Sequence, residues 1–376
     1  MDFTFSEEQT MFQDATRRFI GNEASFEQRQ QSKKTPNGYS SKIWQGFADL
    51  GLLALLVAEE DGGLGGSAID AMLVMSVMGE GLVIEPYLAS AVLATRMISL
   101  SGNPEQRARY LPDLIRGAAV AVLAHDEATT RFDRLHISTS AKPAVDTGGY
   151  VLNGHKSVVP HGASADLLLV TARMPDHGLS VFAVAKSTPG LRILPYTTVD
   201  GIAAAEIYLD QVIIPANCLL DAQSDAGAAV NQTLDLGIAA VCAEAVGALD
   251  KLLAATIVYA KNRQQFGVVI GKFQALQHKM ADMVLHIEQA RSMSCLAAVR
   301  SEDHDTASRT IALSSAKAVI GQACRFVGQQ AVQLHGGMGV TDELDVSHYF
   351  KRLMAIELQF GSTDYHLEVV AQHLVS

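Results

Sequence analysis

The sequence predicts three successive parts: a helical segment, a small β-domain and a helical bundle. Three observations carry this expectation. Apolar residues recur at helical spacing through residues 1–117 and again beyond Ala226. Between them, over 118–220, the texture changes to short apolar runs separated by turns, which is the pattern of strands. A chain of 376 residues with 48% hydrophobic content also exceeds what one core serves and can fill two or three packed units. The expected domains are therefore 1–117, 118–220 and 221–376.

The charge balance narrows the partners. A net charge of −11 disfavours nucleic acid and anionic membrane surfaces, since both require a basic footprint. The start, Met1-Asp2-Phe3-Thr4-Phe5, is acidic and lacks the basic and apolar regions of a signal peptide, so a cytoplasmic location is expected. Leu50 to Ala58 is apolar but too short to span a bilayer. Cys218, Cys242, Cys295 and Cys324 have neither metal-ligand spacing nor the density of a disulfide framework, so buried thiols and no metal site are expected.

Ser6 to Gln9 reads as a capping box that starts a helix carrying Met11, Phe12, Ala15 and Phe19 inward. Ile43, Trp44, Phe47 and Leu50 mark a second helix. The run Glu59-Glu60-Asp61-Gly62-Gly63-Leu64-Gly65-Gly66 then breaks regular structure, and Ala68 to Ile98 and Pro104 to Arg116 return to helical spacing. Strands are expected at Val120–Ala124, Tyr150–Leu152, Leu167–Thr171, Ser180–Val184 and Glu206–Leu209, with Asn153-Gly154 as a hairpin turn. Beyond Ala226 three apolar stripes follow, through Leu234 to Leu252, Phe273 to Ile287 and Ile311 to Val327, then a short final helix with Leu367, Val370 and Leu374 on one face. Antiparallel helices burying such stripes make a four-helix bundle. Stripes this wide can also cover a subunit interface.

Two stretches in the last part carry chemistry. Tyr259-Ala260-Lys261-Asn262-Arg263-Gln264-Gln265-Phe266-Gly267 offers a cation, amides and an aromatic ring close together. Gln333-Leu334-His335-Gly336-Gly337-Met338-Gly339 is a glycine-rich break after an apolar helix, where backbone without Cβ admits close approach of a ligand. Read alone, Arg263 is a solvated helix charge and the glycines are a helix cap. Together with Phe273-Gln274-Ala275-Leu276-Gln277 and Met280-Ala281-Asp282-Met283, however, these segments occur in the order and at the separations of the acyl-CoA dehydrogenases, which the chain resembles over nearly its whole length. Glu59 to Gly66, with Ala58 in place of a proline, resembles a loop of the same family.

The resemblance implies an acyl-CoA dehydrogenase-like fold: N-terminal α-helical domain, middle β-domain, C-terminal four-helix bundle. It implies FAD as cofactor, an acyl-CoA substrate and electron-transfer flavoprotein as acceptor. It also implies roles by position. Arg263 would fork onto pyrophosphate oxygens, with charge-assisted bonds of about 1.5–3 kcal/mol each before desolvation. Phe266 would pack against adenine, while Gln333 and the backbone at Gly336 and Gly337 would reach the rest of the ADP moiety.

Elsewhere the chain departs from the family. The base that takes the α-proton of the thioester falls at Phe360, which cannot accept a proton, and the family's second address for it falls at Gly237. Glu244, seven residues beyond Gly237, lies on nearly the same helix face but about 10.5 Å further along at ~1.5 Å per residue. It is either a relocated base or a buried, paired or interface carboxylate. Glu357 is a remoter candidate, and Lys351 and Arg352 read as salt-bridge partners at a subunit contact. In the β-domain, Ala124 to Thr130 lacks the glycine of the family's flavin and thioester loop. Val158 and Pro160 stand where relatives carry an aromatic shield and a hydroxyl, and proline has no N–H either. His125 and His161 are expected in hydrogen-bonded structural roles.

Tail-binding equipment without reaction equipment is similar to the small subunit of pimeloyl-CoA dehydrogenase and to one chain of the α2β2 acyl-CoA dehydrogenases of steroid degradation. The expectation is a heterotetramer in which a larger paralogous subunit supplies the catalytic Glu and the flavin pocket. Two alternatives stand beside it: a self-sufficient homotetramer with a relocated base, and a non-catalytic scaffold subunit. The acyl group, whether steroid, dicarboxylate or aromatic alkanoate, is not readable from the sequence.

Overall fold

A computed structural model describes residues 5–144, 148–175, 177–220 and 225–375. Met1 to Thr4, read above for a leader, and the domain boundary at residue 221 lie outside them. Helices α1 (Glu7–Glu23), α2 (Phe26–Ser32), α3 (Ser41–Asp49), α4 (Ala68–Glu80), α5 (Thr95–Ser101) and α6 (Pro104–Ile115) come first. Strands β1 (Ala121–Ala124), β2 (Ser140–Ala144), β3 (Gly149–Pro160), β4 (Leu167–Met174), β5 (Gly178–Ala185), β6 (Leu191–Thr197), β7 (Ala203–Ile214) and β8 (Leu219–Leu220) follow. Then come α7 (Gly227–Asn262), the hairpin β9 (Gln264–Gln265) and β10 (Val268–Val269), α8 (Gln274–Arg300), α9 (Thr306–His335), α10 (Asp345–Leu358) and α11 (Thr363–Val375). These make two compact units, one of residues 1–29, 68–83 and 238–376, the other of residues 30–67 and 84–237.

In the helical unit α9 is central, packing against α8, α10 and α11. The capping box forms as expected, Ser6 Oγ accepting from Gln9 N while Gln9 Oε1 accepts from Ser6 N. The inward face of α1 differs from expectation: Thr16 and Ile20 are buried and Met11 is 71% exposed. The reason is polar. Gln9, Gln13 and Arg17 bond to Asp70, Ser76 and Glu80 along α4, which turns that stripe toward α4 and rotates Met11 outward. Helices α4 and α7 cross backbone to backbone at two glycines. A Cβ on Gly79 would lie 1.9 Å from the Glu244 carbonyl oxygen, and one on Gly247 1.8 Å from that of Ser76. On α11 the face of Leu367 and Leu374 is exposed; Thr363 and His366 are what the helix buries. Cys242 and Cys324 are buried, which pushes both thiols up to about 12, whereas Cys218 and Cys295 are half-exposed.

The other unit is built on one sheet, ordered β6-β7-β3-β2-β4-β5-β8, with β1 parallel to β4. Asn153-Gly154 is not a hairpin turn. It lies inside the continuous strand β3, where the register against β7 shifts. Asn153 Oδ1 accepts from Gln211 N at 2.9 Å, and Gln211 itself has φ +50, so the pair makes a bulge. The helical run expected over Ala68 to Ile98 also breaks: α4 ends at Glu80, Leu82 has φ +47, and Pro86 precedes a wider helical turn over Tyr87–Ala94. The Glu59–Gly66 loop is compact rather than loose, since a Cβ on Gly63 would lie 2.0 Å from Val57 O.

Lys156, fully buried on β3, donates to Glu127 Oε1 at 2.7 Å, to the His125 carbonyl and to Thr171 Oγ1. Glu127 also accepts from the Ser138 and Thr139 N–H groups and from Thr139 Oγ1, closing the 127–139 loop on itself. Burial alone would raise this carboxyl, but the Lys156 charge and these donors bring it down to about 2.

Two outcomes follow for stability. Gly79→Ala must push α4 from α7 and should cost about 3 kcal/mol, the upper end for overpacking, read as a lower denaturant midpoint with unchanged m. Glu127→Gln leaves Lys156 buried without its counter-ion and should cost about 3–5 kcal/mol at neutral pH. Because Glu127 is depressed in the folded state, its contribution is present above the ordinary carboxylate range and is lost as pH falls toward about 2. The difference between wild type and Glu127→Gln should therefore shrink in acid. Denaturation series at pH 7 and pH 3 check this.

Candidate functional site

The two sequence stretches meet in the helical unit. Tyr259, near the end of α7, stacks on His335 at the end of α9 with ring centroids 4.3 Å apart, and its hydroxyl donates to the His335 carbonyl. Arg263 follows one turn later, exposed, with no side-chain hydrogen bond or ion pair among the described residues. The β9–β10 hairpin then turns through Phe266 and Gly267, both with positive φ, which leaves the Phe266 ring 91% exposed against the edge of Phe273. Across from them Gln333 is exposed, and a Cβ on Gly336 or Gly337 would meet nothing within 4 Å. The Gly336 N–H donates to the Gln333 carbonyl, so Gly336 leaves open space rather than a donor. A cation, an amide, a ring and bare backbone thus stand exposed around the ends of α7 and α9, which Tyr259 and His335 join, a set with the chemistry to meet a nucleotide tail.

The sequence also singled out carboxylates, and each has its partners. Glu244 is buried and bound by Arg352 through Nε at 2.5 Å and Nη2 at 2.7 Å, a bidentate pair joining α7 to α10 within this chain. Glu357 is buried and accepts from Arg325 and from the Thr363 N–H, each at 3.0 Å. Lys351 pairs with Asp342 at 2.8 Å. Gly237 is buried on α7. Phe360 is half-buried at φ +61, on a turn between α10 and α11 that three side-chain bonds hold. Lys317 Nζ donates to the carbonyls of Glu357 and Gly361 at 3.0 and 2.9 Å, and His366 Nε2 to that of Phe360 at 3.1 Å, while His366 Nδ1 meets Ser314 Oγ. Sequence reasoning missed Lys317 and His366. A lysine inside the apolar stripe of α9 was the available signal, since such a charge needs acceptors.

In the β unit His125 is buried, its Nδ1 3.1 Å from Thr171 Oγ1. Burial, with the nearby Lys156 charge, lowers it to about 3. His161 is buried edge-on to Tyr39. Val158 is about half exposed at φ +51 on a second bulge of β3, its N–H donating to Glu206. Neither Val158 nor Pro160 offers a broad ring or a hydroxyl. The loop that lacks the family's glycine is the one closed by Glu127, and Arg134 within it pairs with Asp235 at 2.6 Å. Among the described residues no group of His, Cys, Asp and Glu forms a metal site, and no helix is long and apolar enough to cross a membrane.

The descriptions of the acyl-CoA dehydrogenase N-terminal, middle and C-terminal domains match residues 6–118, 123–212 and 226–375. The L-prolyl-(peptidyl-carrier protein) dehydrogenase of Serratia sp. (strain ATCC 39006) is 29% identical over 100% of this chain and 98% of its own length. The probable acyl-CoA dehydrogenase YngJ of Bacillus subtilis (strain 168) is 31% identical with both chains covered in full. Among solved structures, a variant of the Tcur3481-Tcur3483 steroid ACAD superposes with a TM-score of 0.88 at 28% identity, covering 98% of each chain. The order of helical, β and helical parts, the three domain matches spanning most of the chain and the full-length 31% identity to YngJ together establish that this chain belongs to the acyl-CoA dehydrogenase family.

Proposed function

We propose that this chain is one subunit of a heteromeric acyl-CoA dehydrogenase. It would hold the ADP arm of FAD through Arg263, Phe266, Gln333 and the backbone at Gly336 and Gly337. A larger paralogous subunit, in an α2β2 assembly, would bring the catalytic Glu and the pocket for the flavin ring. FAD is the cofactor of this family and, when bound, supplies the two-electron acceptor for α,β-dehydrogenation of the thioester. The residues present fit one end of it. Open glycine backbone beside an unpaired arginine suits a pyrophosphate and adenosine, whereas Val158 and Pro160 do not suit the ring.

One observation carries the reading: the carboxylates that sequence reasoning offered as substitutes for the missing base are already engaged, Glu244 by Arg352 and Glu357 by Arg325 and the Thr363 amide. A base must come within hydrogen-bond reach of its proton, and both acids are instead held by an arginine. The same observation weighs against the self-sufficient homotetramer. Similarity to a steroid ACAD named for two chains supports an unlike partner and a bulky acyl group. Electron-transfer flavoprotein as acceptor and a cytoplasmic location belong to the same reading.

Expressed alone, the chain should bind FAD weakly and dehydrogenate no acyl-CoA; co-expressed with a larger paralogous chain, the complex should retain FAD and turn over. Full occupancy and ordinary turnover by the isolated chain reject the division. In the assembled complex Arg263→Ala should weaken FAD about tenfold or more, the equivalent of one charge-assisted bond of about 1.5–3 kcal/mol. Unchanged affinity in a flavin titration would favour a scaffold.

A further inference from the structure

On the exposed face of the sheet, β6, β7 and β3 present one row of three side chains. Arg192 and His155 are the register partners of Tyr208 from either side. The Arg192 guanidinium carbon lies 3.9 Å from the centre of the Tyr208 ring, and the His155 imidazole stacks on the same ring at 4.1 Å and 6°. Two groups at contact distance do not share one face of a ring, so Tyr208 is sandwiched between them. His155 is fixed in turn by Glu206, whose Oε2 lies 2.7 Å from its Nε2. A guanidinium seated on a ring held in this way keeps its plane, while its N–H edges stay available to an oxyanion.

Beside this row a pocket of about 480 Å³ opens among Arg192, Tyr208, Asp210, Gly154 and Gly190. Small-molecule sites occupy about 300–1,000 Å³. Asp210 follows Tyr208 by two residues on β7, which puts it on the same face and diagonal to Arg192, where cross-strand neighbours stand about 7–8 Å apart. The opposite charges do not pair: among the described residues neither side chain has a hydrogen bond or an ion pair. Backbone fixes the acid in place. The Asp210 N–H donates to the Gly190 carbonyl at 3.2 Å, a Cβ on Gly190 would lie 2.6 Å from the Asp210 carbonyl oxygen, and the bulge at Gln211 follows at once. A phosphate or a plain carboxylate would meet Asp210 as a like charge, and a plain amine would meet Arg192 in the same way. A guest that carries both charges meets neither penalty.

We propose that this pocket binds a small zwitterion of the α-amino-acid class, with its carboxylate on Arg192, its ammonium on Asp210, and Tyr208 as the positioning residue that seats Arg192. None of these residues belongs to the set proposed for FAD. Calorimetric titration of the full chain with L-leucine, with 4-methylpentanoate, which lacks the amine, and with 3-methylbutylamine, which lacks the carboxylate, tests the site. L-leucine should bind saturably and about tenfold tighter than either analogue, the loss of one charge-assisted contact. Arg192→Gln should abolish its advantage over the amine, and Asp210→Asn its advantage over the carboxylate. Tyr208→Leu should weaken L-leucine about two- to fivefold, whereas Tyr208→Phe, which keeps the ring, should stay within about twofold of wild type. The comparison of the three compounds on the wild type needs no variant to fold. Absence of saturable L-leucine binding, equal affinity for L-leucine and 4-methylpentanoate, or L-leucine binding unchanged in both Arg192→Gln and Asp210→Asn overturns the site.

Discussion

Arg352 and Glu244 meet inside the helical unit with both carboxylate oxygens on one guanidinium, and neither side chain is more than 8% exposed. Taking each charge out of water costs on the order of several kcal/mol, so the pair is tolerable only because the fork geometry satisfies both oxygens at once. Two properties follow. Helix α10 is tied to α7, which fixes where the turn after Leu358 begins. Glu244, the acid that the sequence offered as a relocated base on α7, also has both of its oxygens on a permanent cation.

The polar groups of the helical unit divide by direction. Acids on its interior, Glu244 and Glu357, are bound by Arg352 and by Arg325 with the Thr363 amide. Donors at the open bundle end, Arg263 and Gln333, face solvent. An interior of paired acids suits a rigid frame, and outward donors beside bare glycine backbone suit an anionic guest. A subunit that grips a cofactor tail and leaves the chemistry to its partner requires this division and nothing more from its own interior.

Much of this was legible in the sequence, and the failures share a cause. Ser6 and Gln9 predicted their capping box because that motif is local, whereas Arg263, Phe266 and the Gly336-Gly337 pair stood out as ligand candidates only through the resemblance to the acyl-CoA dehydrogenases. Asn153-Gly154 misled because a dipeptide that accepts left-handed angles serves a bulge as well as a hairpin, and only the partner strand, with Gln211 at φ +50, decides between them. Met11 misled because apolar periodicity ignores the polar bonds of Gln9, Gln13 and Arg17 to α4 that set the helix rotation. Lys156 meets Glu127 from 29 residues away, and Lys317 meets the carbonyls of Glu357 and Gly361 from 40 and 44, separations no local pattern encodes.

Backbone strain gathers at the same places. Phe266 and Phe360 both occupy the left-handed region, and each is followed by a glycine that continues the positive φ, Gly267 at +78 and Gly361 at +120. A glycine at the first position would remove about 1–2 kcal/mol of strain per residue, so each ring is kept against a conformational cost. Neither ring is fully buried: Phe266 stands almost wholly in solvent and Phe360 is half covered. Core packing therefore does not account for keeping them. Val158 presents the contrast. Its φ of +51 sits on a strand bulge with no glycine behind it, and its amide is held by Glu206 instead. There the strain serves the bulge and not a ring.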